Sequence, residues 1–257
     1  MLVLLPPSEG KTSPRRGKPL DLEALSFESL TATRERVLDA LVALARSKPD
    51  RALEVLGLSP RQTDEVARDA ALETAPTAAA GSVYTGVLYD ALDAQTLTLA
   101  DRDWAAGNVL VHSALFGPIG ALDPIPAYRL STTSRLPGLA LKQHWGPRIA
   151  AVLAGETGLV LDLRSAGYVG LGAAPARTGS VLLRVVTETP DGHVRALNHF
   201  NKTAKGRFTR ALIRSAPELA TVAELLEWAP GAGFTVRAAG PATLELLDDA
   251  PLASALA

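Results

Sequence analysis

The chain has 257 residues, with 26 Lys and Arg against 27 Asp and Glu, and a formal net charge of −1 at pH 7. Its 47% of hydrophobic residues can build the core of one large domain or of two small ones. The near-zero charge argues against a globally basic nucleic-acid binder, and the lack of cysteine excludes disulfides, thiolate metal sites and thiol redox chemistry.

No apolar run reaches the roughly 18 residues that a membrane-spanning helix needs. The apolar start at residues 1–6 is too short for a signal peptide and is soon followed by charged residues. We therefore expect a cytoplasmic protein with no membrane partner.

An apolar run at residues 2–5, closed by two prolines, predicts a buried strand that ends abruptly. A Gly-Lys-Thr sequence follows it. The earlier glycine that a phosphate-binding loop requires is absent, because Leu5 stands in its place. The segment instead indicates a polar loop at a strand end, where sites are often found. Its candidate ligand-binding residues are Ser8, Lys11 and Thr12.

Apolar residues at helical spacing predict a helical subregion at about residues 31–73, with helices at 32–47, at 50–56 and from 60 onward. The last two helices and the turn at Gly57 form a helical hairpin. This hairpin is similar to the helix-hairpin-helix element, whose turn offers backbone N–H groups to DNA phosphate. Plain packing of helices is the alternative interpretation.

Two further buried strands are predicted at residues 108–116 and 158–164. In the second, Asp162 and Arg164 lie two positions apart and share a face, so they could form a buried pair or line a cleft. Arg129 lies in a turn-rich loop beyond the first strand. Open α/β sheets bind their ligands at such strand ends, which makes Arg129 a candidate for a site.

The strongest charge signal lies at residues 195–214, which hold six Lys or Arg and no acid. Two strands at residues 180–187 and 194–200, joined by Pro-Asp-Gly, predict a hairpin that leads into it. Residues 206–215 have apolar side chains at helical spacing, so a helix is expected there.

The basic residues of this stretch fall into two groups. Lys202 and Lys205 are expected in the turn before the helix, whereas Arg207, Arg210 and Arg214 would form a cationic stripe along it. Such a stripe, beside the N–H groups of a helix start, can hold phosphates or carboxylates. A solvated helix face near a few acids is the alternative.

Motifs spread in order along nearly the whole chain resemble the YaaA (DUF328, UPF0246) peroxide stress response family. They are Leu-Leu-Pro-Pro-Ser at 4–8, Tyr-Thr-Gly at 84–86, the block at 113–130 that ends in Pro-Ala-Tyr-Arg-Leu, Trp-Gly at 145–146, Asp-Leu-Arg-Ser at 162–165 and Lys-Thr-Ala-Lys-Gly-Arg at 202–207. The block at 113–130 and the basic block are the specific parts of the match.

The resemblance implies a cytosolic protein with a single mixed α/β domain of unusual topology, a central mixed sheet, a helical hairpin and a positively charged cleft. It also implies a role in limiting free iron and oxidative DNA damage under hydrogen peroxide, with DNA as a partner bound without sequence preference. We expect this domain to span residues 1–243 and an acidic, flexible tail to follow at 244–257.

Two functions from different classes remain open at this point. One is a stress protein that binds DNA non-specifically through the cationic cleft. The other is an enzyme acting on a small anionic substrate in a pocket lined by Ser8, Lys11, Arg129, Asp162, Arg164, Lys202 and Lys205.

Neither a metal site nor a cofactor is predicted. The four histidines lack the spacing of a helical zinc pair. A Ser-His-Asp set cannot be assigned without geometry, although His112, Ser113 and His199 are candidates for one.

Overall fold

The computed structural model describes residues 1–188, 194–196 and 200–248. Its strands are β1 Leu2–Leu5, β2 Ala78–Ala79, β3 Val109–Ser113, β4 Gly117–Gly120, β5 Pro124–Ile125, β6 Val160–Asp162, β7 Ser180–Glu188, β8 Val194–Ala196, β9 Thr235–Gly240 and β10 Thr243–Leu247.

The α-helices of the same residues are α1 Thr31–Ser47, α2 Pro49–Leu56, α3 Thr63–Ala70, α4 Ala80–Val83, α5 Val87–Leu92, α6 Leu99–Asn108, α7 Leu141–Ala154, α8 Ala166–Val169, α9 Phe200–Ser215 and α10 Val222–Gly231. Short 3-10 helices occupy Glu28–Leu30 and Ala94–Thr96. No described helix combines the length and the apolar composition needed to cross a lipid bilayer.

The central sheet is mixed and mostly parallel. Its strand order is β4-β3-β1-β6-β7-β10-β9, and β8 pairs with the end of β7. The five inner strands β3, β1, β6, β7 and β10 run parallel, while β4, β8 and β9 are antiparallel to their partners. The predicted mixed α/β domain is confirmed.

Strand β1 lies inside the parallel set, between β3 and β6, and its side chains are apolar on both faces. All four residues of Leu2–Leu5 are buried. Val3 pairs with Val109 on one side and with Leu161 on the other. After β1 the chain goes to β3 on one side and then returns to β6 on the opposite side, so the strand order reverses between β1 and β6.

Helices α1, α2 and α3 pack against one another as the predicted helical subregion. Gly57 ends α2 with a φ of 65°, the left-handed conformation that glycine adopts without strain. Helix α3 begins at Thr63 and not at Pro60. The reason is a closed turn before it, in which the Gln62 N–H donates to the Ser59 carbonyl at 2.9 Å and the Gln62 side chain accepts from the Ser59 N–H at 3.0 Å.

Helix α9 begins at Phe200, six positions before the predicted start at residue 206. Lys202 and Lys205 therefore lie on the helix and not in a turn. Tertiary packing explains the difference, because Ala204 and Lys205 are buried in the fold. Gly206 lets α9 approach α5 closely, since a Cβ at this position would lie 2.2 Å from the Leu88 carbonyl oxygen.

The predicted boundary after residue 243 falls inside the sheet. Strand β10 pairs with β7 in parallel and with β9 in an antiparallel hairpin. Its alternation buries Leu244 and Leu246, while Glu245 between them accepts a hydrogen bond from Arg237 at 3.0 Å. Because the segment is rich in acids, its sequence predicts a tail, although its apolar residues alternate as in a strand with one buried face. Residues 249–257 lie outside the described part of the chain.

Candidate functional site

A cleft of about 600 Å³ opens at the carboxyl ends of β1 and β6. This is the point where the strand order reverses, the usual place for ligands in open α/β sheets. Its size falls within the roughly 300–1,000 Å³ of small-molecule sites. The loop after β1, the start of α5, residues 131–133 and the start of α9 form its walls, and its polar side chains include Ser8, Glu9, Ser165, Tyr168, Lys202 and Lys205.

The loop after β1 is held by its own side chains. The Ser8 hydroxyl donates to the Gly10 carbonyl at 2.5 Å and accepts from the Thr85 N–H at 3.2 Å. The Lys11 ammonium donates to the Ser8 carbonyl at 2.9 Å. These bonds fix Ser8 on the cleft wall and place Lys11 behind it.

Lys11 occupies an aromatic pocket behind the cleft. Its Nζ lies 4.2 Å from the centroid of the Tyr128 ring and 5.3 Å from that of Tyr84, distances at which a cation interacts with a ring face. Burial, and secondarily the positive charge of Arg129, lower the pKa of Lys11 to about 7, although nearby Asp69 opposes the shift. Lys11 can therefore exchange between its charged and neutral forms near neutral pH.

Tyr128 links this pocket to strand β3. Its hydroxyl shares hydrogen bonds with the Tyr84 hydroxyl at 2.9 Å and with Ser113 Oγ at 2.7 Å. Ser113 Oγ also accepts from the N–H groups of Leu115 and Phe116 at 3.0 and 2.9 Å. Burial raises the pKa of Tyr128 and of Tyr84, so both phenols stay protonated. This network fixes the walls of the site.

Asp162 and Arg164 form a buried ion pair at the end of β6. The Arg164 Nε and Nη2 atoms donate to the two oxygens of Asp162 at 2.9 and 2.6 Å. The Nη1 atom donates to the Gly172 carbonyl at 2.8 Å and to His112 Nδ1 at 2.6 Å. The sequence left open whether Asp162 and Arg164 form a buried pair or line a cleft, and in the structure they form the buried pair.

His112 is neutral in this arrangement. Its Nδ1 accepts from Arg164 and so carries no proton, and burial together with the Arg164 charge holds the pKa of His112 well below its usual value. His112 and Ser113 are consecutive on β3, so their side chains leave opposite faces of the strand. They do not form the Ser-His contact that a catalytic set requires. His199, the other candidate, lies outside the described residues.

Lys205 and Lys202 reach the cleft from helix α9. Lys205 is only 7% exposed, and its Nζ donates to the Leu163 carbonyl at 2.8 Å. Burial lowers the pKa of Lys205 to about 8, and the Asp162 charge opposes this shift. Because both oxygens of Asp162 are bound by Arg164, Lys205 has no ion pair among residues 1–188 and 200–248. Lys202 is exposed on the same cleft.

Arg129 lies at the edge of the site and is paired with an acid. Its Nη2 donates to Glu9 at 2.9 Å, and its backbone N–H donates to Asp69 Oδ1 at 2.8 Å. Asp69 is fully buried, and its Oδ2 has no partner in the described part of the chain. Burial raises the pKa of Asp69 to about 7. Lys11, Arg129 and Lys202 are thus grouped around one cleft, though only Lys202 lines it directly.

The predicted arginine stripe of α9 lies away from this cleft. Arg210 donates to the Leu92 and Asp93 carbonyls at 2.7 and 2.9 Å, and Arg214 lies 3.7 Å from a carboxylate oxygen of Asp101. Arg207 is exposed. Positions 202 and 207 are separated by about 140° around a helix axis. The structure therefore does not bring the lysines and the stripe together.

Two other candidates lie outside the cleft walls. Thr12 is exposed on the chain that leaves the loop after β1. At the helical hairpin, the Gly57 N–H donates to the Glu54 carbonyl at 3.2 Å and the Leu58 N–H to the Leu53 carbonyl at 2.8 Å. Both turn amides are used to close helix α2, so this end of the hairpin offers neither of them to a phosphate.

Several cleft residues were not singled out from the sequence. Thr85 and Ser165 lie within the Tyr-Thr-Gly and Asp-Leu-Arg-Ser motifs, which were the signal that could have identified them. Tyr168, which lines the cleft, and Asp69, which is buried behind Arg129, have no such signal, because an isolated polar residue on a helix is usually solvated. Among the residues that the structure covers, no three His, Asp or Glu side chains group closely enough to hold a metal ion.

Comparison with known proteins gives a consistent result. The family model described as "Peroxide stress protein YaaA" matches residues 1–239. A UPF0246 protein of Streptomyces coelicolor is 46% identical over 249 residues, which cover 94% of each chain. One from Corynebacterium efficiens is 45% identical over 241 residues, or 92% of this chain and 94% of the relative. A UPF0246 protein of Streptococcus pneumoniae is 27% identical over 221 residues, or 84% and 88% respectively.

Proposed function

Because the chain belongs to the YaaA (UPF0246) family of peroxide stress proteins, we propose that it acts in the response to hydrogen peroxide by binding a small anionic ligand. The ligand occupies the cleft at the carboxyl ends of β1 and β6. The observation that carries this proposal is Lys205, a buried amine that lines the cleft and has no carboxylate partner in the described residues.

A buried ammonium group without a counter-charge is costly, because burial removes its hydration. One hydrogen bond to the Leu163 carbonyl compensates only part of that loss. A phosphate or carboxylate bound in the cleft would supply the missing negative charge. Folded proteins tolerate such a cost mainly at functional sites, where it is recovered when the ligand binds.

The surroundings of Lys205 favour a phosphate group. Asn201 and Lys202 of the first turn of α9 line the same cleft, and the start of a helix attracts anions through its N–H groups and its dipole. Hydroxyl groups of Ser165 and Thr133 lie on the walls as further hydrogen-bond donors. The acid at the rim, Glu9, is neutralised by Arg129.

We expect Lys205→Met to weaken the binding of inorganic phosphate and pyrophosphate by at least about tenfold, a loss of roughly 1.4 kcal/mol. Isothermal titration calorimetry at pH 7 measures it. Lys142→Met, which removes an exposed lysine from α7, is the matched control and should bind both anions like the wild type. Equal affinities for wild type and Lys205→Met would remove the proposal.

A second candidate function is non-specific binding of DNA, by which the protein would help to limit iron-driven oxidative damage. It is favoured by exposed cations that have no acid partner within the described residues. Among them are Arg15, Arg16, Lys18, Lys202 and Arg207. Side chains of this kind contact phosphates and not bases, so affinity would depend on the release of counterions.

A salt titration on two unrelated duplexes of equal length tests this candidate. Five phosphate contacts give a log–log slope of about −0.9 × 5, roughly −4.5. The double variant Lys202→Glu/Arg207→Glu should lower the slope by about 2 and weaken binding at least tenfold, at roughly one unit of slope per contact. Its thermal stability should hardly change, because exposed charges contribute only about 0–1 kcal/mol each.

The control for this titration is Lys142→Glu, a charge reversal on a different helix. A slope near zero for the wild type, or a preference above about a hundredfold for one duplex, would count against non-specific DNA binding. Neither result would affect the anion site at Lys205.

A further inference from the structure

The amine of Lys205 has the environment of a nucleophile. It lines a cleft large enough for a small molecule, it is shielded from bulk water, and its one hydrogen bond is to the Leu163 carbonyl. A carbonyl oxygen only accepts, so this bond orients one N–H and leaves the lone pair of a neutral amine free. Desolvation in this way is how proteins activate lysine as a nucleophile.

The Asp162–Arg164 ion pair leaves the Lys205 amine available for reaction. The Asp162 charge favours the ammonium form of Lys205, but both oxygens of Asp162 are bound by Arg164, and the Lys205 amine donates to the Leu163 carbonyl instead. Burial lowers the pKa of Lys205 to about 8, so far more of its amine is neutral near pH 7 than for an ordinary lysine. The Asp162 charge remains close enough to stabilise a positive nitrogen once a bond has formed.

Lys202 supplies a second anchoring point. It precedes Lys205 by three positions on α9, which corresponds to about 4.5 Å along the helix axis, and it lines the same cleft. This spacing suits a short molecule with a reactive carbon at one end and a phosphate at the other. The ammonium of Lys202 would hold the phosphate while the carbon reaches Lys205.

We propose that Lys205 forms an imine with a small phosphorylated aldehyde bound in this cleft. The inference rests on the proposed function for its phosphate contact, and it names the substrate class. The class is an aldehyde of a few carbons with a terminal phosphate. Inorganic phosphate alone would bind beside Lys205, whereas the phosphate of the aldehyde would be held by Lys202 when its carbon occupies the position next to Lys205.

The chemistry is balanced without any additional reactant. The nitrogen lone pair attacks the aldehyde carbon, a C–N bond forms, and the C=O electrons move to oxygen, which takes a proton while the nitrogen loses one. The carbinolamine then loses water to give the C=N bond. The nitrogen gives up its remaining proton to complete the water molecule. Tyr168 lines the cleft, and burial raises the pKa of its phenol, so it stays protonated and can donate a hydrogen bond to the departing oxygen.

Lys11 is the internal comparison. Burial also lowers the pKa of Lys11, to about 7. However, its Nζ donates to the Ser8 and Glu9 carbonyls and is stacked on the Tyr128 ring, behind the cleft wall. Lys11 is partly exposed but does not line the cleft. Low basicity outside the substrate cleft should not give a reaction, so Lys11 is expected to remain unmodified.

The test is reductive trapping of the full chain. Wild type is incubated with D-glyceraldehyde 3-phosphate and sodium cyanoborohydride at pH 7.5, and peptide mass spectrometry locates the adduct. We expect one adduct, at Lys205, formed at least about tenfold faster than adducts at exposed lysines such as Lys142. Unphosphorylated glyceraldehyde should label Lys205 at least tenfold more slowly, and Lys202→Met should remove most of this difference.

Two variants separate this inference from the anion site. Lys205→Arg keeps the charge but cannot form an imine, so it should bind inorganic phosphate and give no adduct on α9 beyond the background of exposed lysines. Circular dichroism and thermal unfolding check that it folds. Phosphate binding by the wild type without a preferred adduct at Lys205 would overturn the imine and leave the proposed function intact. Equal labelling by both aldehydes would overturn the phosphorylated substrate class.

Discussion

Replacing Arg34 by methionine is expected to lower the free energy of unfolding by about 3 kcal/mol or more. Arg34 is completely buried in α1. Its guanidinium donates to the carbonyls of Phe116 and Pro118 at 2.9 and 3.1 Å, and to those of Ser26 and Phe27 at 2.5 and 3.3 Å. Methionine fills similar space but donates nothing, and each buried group left unpaired costs about 1–3 kcal/mol.

For a chain of this size, such a loss lowers the melting temperature by roughly 6–12 °C, at about 2–4 °C per kcal/mol. Differential scanning calorimetry measures it. The matched control is Arg36→Met. Arg36 lies two positions further along the same helix and its side chain is exposed, so this variant should change the free energy of unfolding by less than about 0.5 kcal/mol. If both variants melted like the wild type, Arg34 would not be the link between α1 and the β3–β4 turn.

Replacing Arg164 by methionine should have an effect of similar size, about 3–5 kcal/mol. The substitution leaves the Asp162 carboxylate buried without its cation and takes a donor from His112 and from the Gly172 carbonyl. Burying an unpaired charge is far more costly than burying a matched pair. Guanidinium denaturation followed by circular dichroism gives the free energy of unfolding.

The double variant Asp162→Leu/Arg164→Met distinguishes this cause from a simple loss of packing. It removes both charges, and replacement of a buried pair by apolar residues is often neutral. We therefore expect it to be more stable than Arg164→Met alone. A double variant no more stable than the single one would show that the cost comes from the shape of the arginine and not from the isolated carboxylate.

The parts of the fold that could be predicted are those with a strong local signal. Strand β1 is a continuous apolar run, and β3 and β6 each begin with one. The pairing of β7 with β8 follows from two strand segments around a turn sequence. Strand β10 was missed because Glu245 and the neighbouring acids suggested a solvated tail. Its place beside β7 depends on a tertiary contact that a local pattern does not contain.

The location of the candidate site could be predicted from the sequence, but which of its charged side chains are paired with acids could not. Parallel strand ends and a basic stretch indicated where Ser8, Lys202 and Lys205 would meet. Which arginines stay free depends on acids distant in sequence, such as Glu9 for Arg129 and Asp101 for Arg214. The burial that changes the chemistry of Lys205 is likewise a property of the packed structure.

The position of β1 has a consequence for how the protein is made. Strand β1 leaves the ribosome well before β3 and β6, the two strands that pair with it, which begin at Val109 and Val160. Translation adds roughly 5–20 residues per second, so β1 stays without a strand partner for on the order of ten seconds until β3 has been synthesised. During synthesis the nascent chain thus carries an unpaired hydrophobic strand, the kind of segment that chaperones protect from association with other chains.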